Sequence, residues 1–75
     1  MRQRLAAELV ALFGRATVDK AKAEPPQING VAAQTVYQAS SELINLEGQP
    51  TKQRQAVASY PEWLQLALIN WILRA

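Results

Sequence analysis

The last part of the chain, residues 60–74, constrains the fold most, because it contains the densest apolar run and both tryptophans. On a helix at 100° per residue, most of the circumference is covered by Leu64, Leu66, Leu68, Ile69, Trp71, Ile72 and Leu73. The narrow remaining edge is formed by Trp63, Ala67, Asn70 and Arg74. A helix that is apolar almost all round is buried in a core or a membrane. Because a membrane span needs roughly 20 apolar residues, we predict a central core helix over about 60–74, with one side available to a partner.

The start of this helix has its own local pattern. Ser59 and Glu62 have the spacing of a capping box, in which each side chain bonds the other residue's backbone amide. Pro61 fits the first turn, where its missing N–H has no helical partner. Pro61 also disfavours helical geometry at Tyr60, so we expect a corner near Ser59.

Size and composition limit how the fold is stabilised. The chain has 75 residues, which predicts one domain, 1–75. A chain of this length buries only about 60–65% of its unfolded surface, and small folds often add disulfides, metals or oligomerisation. The sequence has no cysteine and no histidine, so disulfides are excluded and a zinc site is disfavoured. Of these three additional sources of stability, self-association is the one that the composition leaves open.

The residue types also argue against an enzyme. There is no histidine for general-base catalysis and no cysteine nucleophile. The six carboxylates are scattered along the chain, and the three glycines are isolated, so no phosphate-binding loop is formed. We therefore predict no catalytic residue, no metal and no cofactor.

The N-terminal segment has a superficial likeness to a signal peptide, with basic residues before the apolar stretch 5–13. Glu8 interrupts that stretch and charged residues follow it, so we reject a signal. We expect a cytoplasmic protein, which includes a protein of a phage or mobile element. The formal net charge of +2 is a weak argument for nucleic acid.

The first half of the chain predicts an amphipathic helix over 2–13. Its apolar face is formed by Leu5, Leu9, Leu12, Phe13 and Ala16. Gly14 either caps this helix or is tolerated inside it. We favour a break there, with a short second helix over 17–23; the alternative is one helix that continues to Glu24. Two prolines, Pro25 and Pro26, then end helical structure.

The middle of the chain predicts a third helix over 31–46, capped by Asn29 or Gly30. Its apolar face is formed by Ala32, Val36, Ala39, Leu43 and Leu46, with Ala33, Tyr37 and Ile44 beside them. The opposite face is uncharged and consists of Gln34, Gln38, Ser41 and Asn45. Such a face is either solvated or forms hydrogen bonds to a partner.

A fourth, short helix is predicted over 52–58. Gly48 suits the left-handed position after the preceding helix, and Thr51 suits the N-cap of the new one. Ala56 and Val57 are predicted to face inward. The residues predicted to face outward are Lys52, Gln53, Arg54 and Gln55.

One short segment resembles a known family. The run Gly-Val-Ala-Ala-Gln-Thr-Val at 30–36 is similar to the turn and recognition-helix start of helix-turn-helix repressors. In that family the polar residues of the second helix enter the major groove. The resemblance implies that Gln34, Thr35 and Gln38 would read bases, since glutamine pairs well with adenine. Lys52 and Arg54 are the basic residues of this alternative.

Taken together, these patterns predict an all-α fold, a small compact bundle of four or five short helices around the C-terminal helix. The leading functional hypothesis is a non-catalytic protein-interaction module, a small adaptor, regulator or inhibitor that binds a protein partner or itself. Its predicted partner-binding residues are Trp63, Leu66, Asn70 and Arg74. The alternative is a small DNA-binding regulator that uses the 31–46 helix.

Overall fold

A computed structural model describes residues 3–24 and 28–74. In these ranges the chain forms α1 (Gln3–Ala11), α2 (Arg15–Ala23), α3 (Gly30–Asn45), α4 (Pro50–Ser59) and α5 (Glu62–Arg74). The predicted all-α bundle of short helices is therefore confirmed. The proline pair, Pro25 and Pro26, lies outside the described residues.

The C-terminal helix α5 is the centre of the bundle. It packs most extensively against α2 and also against α3 and α1. Its buried residues are Leu64, Leu66, Ala67, Leu68, Ile69 and Ile72. They join a core to which the other helices and the turn after α1 contribute Leu5, Leu9, Phe13, Ala21, Val36, Ala39, Leu43 and Val57. The prediction of a buried C-terminal helix is confirmed, because α5 has a neighbour on several sides.

The predicted break at Gly14 is present. Gly14 has φ of +83°, in the left-handed region that glycine adopts without a steric cost. α1 ends at Ala11 and α2 begins at Arg15, so the second helix starts two residues earlier than predicted. Because the break resets the helical phase, Ala16 is exposed and does not continue the apolar face of α1.

The predictions for the start of α3 and for the turn between α3 and α4 are confirmed in part. The Asn29 side chain caps α3 by accepting from the Ala32 amide at 2.8 Å. Gly48 has φ of +83°, as expected after a helix. The predicted N-cap at Thr51 is wrong, because α4 already begins at Pro50 with Gln49 as its N-cap. Proline suits this first position, since its fixed φ is helical and no N–H is needed there.

Gln53 corrects a second prediction for α4. It was predicted to face outward, but it is buried. Its Nε2 donates a hydrogen bond to the Leu43 carbonyl oxygen at 3.1 Å. The hydrogen bond therefore joins α4 to α3, and it gives the buried Gln53 amide a partner inside the domain.

The predicted capping box before α5 is wrong, although the predicted corner is present. Ser59 is the last residue of α4, and its hydroxyl donates to the Ala56 carbonyl at 2.6 Å. Glu62 forms an ion pair with Lys20 of α2. The corner is at Tyr60, whose backbone is extended. The Gln65 amide donates to the carbonyls of Tyr60 at 3.0 Å and Val57 at 3.1 Å, which ties the corner to α5.

Candidate functional site

The four predicted partner-binding residues do not form one accessible surface. Trp63 is 43% exposed and Arg74 is exposed. Leu66 is buried in the core. Asn70 is partly buried, and its Nδ2 donates at 3.0 Å both to the Ala21 carbonyl and to the Leu66 carbonyl. Leu66 and Asn70 therefore hold α5 in the bundle, and only Trp63 and Arg74 are accessible.

Trp71 is a further exposed residue of α5 that the sequence pattern placed among the buried positions. It is 45% exposed and lies one turn from Arg74. It is two turns from Trp63, about 12 Å along the helix axis. The signal in the sequence was the i, i+4, i+8 spacing, which places the small Ala67 between the large Trp63 and Trp71. In the structure Ala67 is fully buried and both tryptophans are exposed. We call Trp63, Trp71 and Arg74 the α5 edge.

The α5 edge consists of two aromatic side chains and one cation. Tryptophan and arginine are the residue types most enriched among the residues that dominate binding energy at protein interfaces. An indole offers a large apolar surface with one N–H donor, so it can pack against a partner and still form a hydrogen bond. The middle of α5 is buried on all sides, so these side chains project from a well-packed helix.

A shallow groove lies between α2 and α5, next to the start of the α5 edge. It has a volume of about 280 Å³ and is lined by Ala16, Thr17, Lys20, Glu62, Gln65 and Leu66. A hydrogen bond from Lys20 to Glu62, together with the charge of that carboxylate, raises the pKa of the Lys20 ammonium above its ordinary value. The Lys20 ammonium is therefore charged at neutral pH and pairs with the Glu62 carboxylate. This groove therefore contains a structural ion pair.

The residues of the alternative DNA-binding hypothesis are on the surface, with one exception. Gln34, Gln38, Lys52 and Arg54 are exposed. Thr35 is partly buried, and its hydroxyl donates to the Val31 carbonyl at 3.3 Å. α2 ends at Ala23 and α3 begins at Gly30, so six residues separate the two helices. The turn of a helix-turn-helix motif has three or four residues.

A second groove lies along α3. It has a volume of about 430 Å³ and is lined by Tyr37, Gln38, Ser41, Glu42, Asn45 and Leu46. Glu42 is the sole charged side chain of α3. The groove therefore offers amides, two hydroxyls and one carboxylate, and α3 supplies no cation for a phosphate backbone.

Tyr60 is a polar group with an unusual environment, next to Glu42. Its hydroxyl oxygen is buried and has no hydrogen-bond partner of normal geometry among residues 3–24 and 28–74. Burial raises the pKa of the Tyr60 hydroxyl to about 12, and the nearby Glu42 carboxylate adds to the increase. The phenol is therefore neutral over the physiological pH range.

Neither a metal cluster nor a spanning helix occurs in the described part of the chain. It contains no group of three or more acidic, histidine or cysteine side chains placed to hold a metal ion. Among its helices, none combines the length and the hydrophobicity that crossing a bilayer requires. Comparison of the chain with protein-family models, with curated proteins and with solved structures gives no match.

Proposed function

We propose that the protein is a non-catalytic interaction module, a small adaptor, regulator or inhibitor, that binds a protein partner or a second copy through the α5 edge. The observation that carries the proposal is the exposure of both tryptophans, 43% at Trp63 and 45% at Trp71, on the helix around which the core is built. A tryptophan can bury 150–250 Å², so covering the exposed part removes roughly 100 Å² from water at each site. At 25 cal/mol per Å² this corresponds to about 2.5 kcal/mol for each residue.

The packing of α5 in the bundle also favours binding through these side chains. Ordering a flexible surface on association costs free energy, and a surface on a packed helix is already ordered. The Asn70 side chain holds α5 against α2 through the Ala21 carbonyl, at a position between the two tryptophans in the sequence. Arg74 is one turn beyond Trp71 and adds a cation with planar hydrogen-bond donors.

The test compares three forms of the chain, namely the wild type, the double variant Trp63→Ala/Trp71→Ala, and Val31→Ser as a control. Val31 is 79% exposed on α3, so the control removes an apolar surface residue away from α5. Each form is immobilised and used to recover binding proteins from an extract of the organism that encodes it, and the recovered proteins are quantified. We expect proteins that the wild type and Val31→Ser retain and that the double variant loses at least tenfold.

Circular dichroism of all three forms is the folding control. Trp63 and Trp71 are half exposed, so the helical signal of the double variant is expected to stay at the wild-type level. A set of recovered proteins that is the same for the double variant and the wild type contradicts the proposal. Loss of helical signal in parallel with loss of binding also contradicts it, because the tryptophans then act through folding.

The exposure of Gln34 and Gln38 on one face of α3 supports a second candidate, a DNA-binding regulator. This candidate predicts binding to duplex DNA that weakens steeply as salt increases, with Lys52 and Arg54 as the phosphate contacts. Fluorescence anisotropy of a labelled duplex pool measures it. Absence of binding at low salt removes this candidate and leaves the interaction module unaffected.

A further inference from the structure

α3 carries a surface stripe of three exposed apolar residues and one partly buried serine. The stripe consists of Ala33, Tyr37, Ser41 and Ile44, which lie within an arc of about 80° on the helix. Tyr37 is 61% exposed and Ile44 is 37% exposed. The buried face of α3, which includes Val36 and Leu43, points to the core instead. We call these four residues the α3 stripe.

Along α3 itself, the α3 stripe has a single charged neighbour. Among the sixteen residues of α3, Glu42 is the one charged side chain. The exposed neighbours of the stripe are the amides Gln34, Gln38 and Asn45. The centres of protein interfaces are depleted in charged residues and enriched in tyrosine. This composition suits a surface that a protein covers, and it disfavours a nucleic acid as the occupant.

We propose that the α3 stripe docks a second copy of this chain, with the two α3 helices antiparallel. A twofold axis near Gln38 and Ala39 places Ala33 opposite Ile44 of the second copy, and Tyr37 opposite Ser41 of the second copy. Each large side chain then meets a small one, as close packing between helices requires. A twofold interface repeats every contact, so the same match occurs twice.

Charge and shape both favour this antiparallel arrangement. At 1.5 Å per residue, the two Glu42 side chains would be offset by about 10 Å along the axis, roughly one Debye length, so their repulsion is weak. The groove along α3 is lined by Tyr37 and Ser41, among other residues. Tyr37 of the second copy fills this groove in the proposed register. The α5 edge takes no part in these contacts.

The surface has the size of a weak, transient interface. A helix of sixteen residues is about 24 Å long, and one such helix pair buries less than the roughly 1,600 Å² of a standard stable interface. The dimer is therefore weak, with a dissociation constant on the order of 10–100 μM.

The first test is the solution mass of the full chain by sedimentation equilibrium, from about 5 μM to about 1 mM, a range that brackets this constant. The mass of the wild type is expected to rise from 8.3 kDa towards twice that value. Tyr37→Glu is expected to remain at 8.3 kDa, because it places a charge at the centre of the interface. Val31→Glu is the matched control, since Val31 is 79% exposed and lies about 120° around α3 from Tyr37. It is expected to dimerise like the wild type.

The second test is a charge exchange that reports the register. Ala33→Glu and Ile44→Lys are each expected to be monomeric, because each inserts an unpaired charge into both halves of the interface. A mixture of the two variants is expected to form a heterodimer. In it, the carboxylate introduced at position 33 of one chain pairs with the ammonium introduced at position 44 of the other. Circular dichroism establishes that each variant is folded.

Several results would overturn the inference. A wild type that stays monomeric at about 1 mM removes it, since this concentration is at least tenfold above the expected constant. A dimer that survives Tyr37→Glu but dissociates with Trp63→Ala/Trp71→Ala assigns self-association to the α5 edge, which supports the proposed function and contradicts this inference. Loss of the dimer in each single charge variant without recovery in the mixture contradicts the antiparallel register.

Discussion

α5 and α3 are both long, apolar helices, but the bundle uses them differently. Along the middle of α5, residues 66–69 are buried in every direction around the axis. On α3 the buried residues Val36, Ala39, Ser40 and Leu43 occupy an arc of about 100°. The difference follows from position, because α5 packs against three other helices, whereas the most extensive contacts of α3 are with α5 alone.

The difference between the two helices shows where surface function can be located in a small bundle. Apolar side chains of α5 reach solvent near its two ends, at Trp63 and at Trp71 and Leu73. Apolar side chains of α3 reach solvent along its length, from Val31 to Ile44. The exposed apolar residues of the central helix are therefore isolated from one another, and those of the peripheral helix follow one another along its length.

The largest effect is expected from truncating the middle of α5. Leu68 is fully buried, so Leu68→Ala loses apolar contacts and leaves a cavity at a cost of about 3 kcal/mol. Leu73→Ala, on the same helix but half exposed, is expected to cost less than about 1 kcal/mol. Urea unfolding followed by circular dichroism measures both. Equal losses for the two variants would show that the middle of α5 is not the centre of the core.

A smaller effect is expected at high pH from Tyr60, which lies at the corner between α4 and α5. Its pKa is raised to about 12, whereas the unfolded chain titrates near 10. Between these values the folded chain keeps the phenolic proton and the unfolded chain has lost it, so stability falls as pH rises. The ring is partly exposed, and we expect a loss of roughly 1–2 kcal/mol by about pH 12.

Tyr60→Phe is expected to remove this contribution to the pH dependence, because the variant has no proton to titrate at residue 60. At neutral pH it is expected to change stability by less than about 0.5 kcal/mol, since the buried hydroxyl forms no normal hydrogen bond within the described ranges. Glu42→Gln removes the secondary cause and is expected to weaken the pH dependence without abolishing it. Urea unfolding at a series of pH values from about 8 to about 12 measures all three forms. An unchanged slope in Tyr60→Phe would contradict the assignment.

The parts of this fold that the sequence predicted are those decided by local chemistry. Gly14 directly precedes α2 and Gly48 follows α3, both with positive φ, and Asn29 caps α3 through its own side chain. The hydrophobic period identified the central helix because its apolar residues cover most of the circumference. Each of these signals depends on neighbours within a few positions along the chain.

The Thr51 N-cap failed locally, because Pro50 begins α4. The other predictions that failed depend on contacts outside the local stretch of chain. Glu62 has the spacing of a capping box with Ser59, but it pairs with Lys20, which is 42 positions away. The sequence pattern places Gln53 on the outward face of α4, but in the structure its amide bonds to the Leu43 carbonyl of α3. The sequence pattern places Trp71 among the buried residues of α5, but the helices around α5 leave it exposed. The candidate site was predictable as a helix, but which of its residues are accessible required the tertiary structure.

The smallest of the three effects on stability is expected from asparagine, which occurs on both α5 and α3. Asn70 on α5 donates to the Ala21 carbonyl and so links α5 to α2, whereas Asn45 on α3 is exposed. Asn70→Ala leaves the Ala21 carbonyl without this donor and is expected to cost about 1 kcal/mol in urea unfolding. Asn45→Ala is expected to change stability by less than about 0.5 kcal/mol, because alanine favours the helix and the position is on the surface.

The two asparagine variants test association as well as stability. Asn45 lines the groove along α3, so Asn45→Ala is expected to alter the dimer constant while leaving the unfolding free energy nearly unchanged. Asn70→Ala is expected to do the reverse, because its amide is used inside the domain. If both variants instead lowered stability and left the dimer unaffected, α3 would be as closely enclosed as α5. The contrast between a central helix that holds the fold and a peripheral helix that is open to a second copy would then fail.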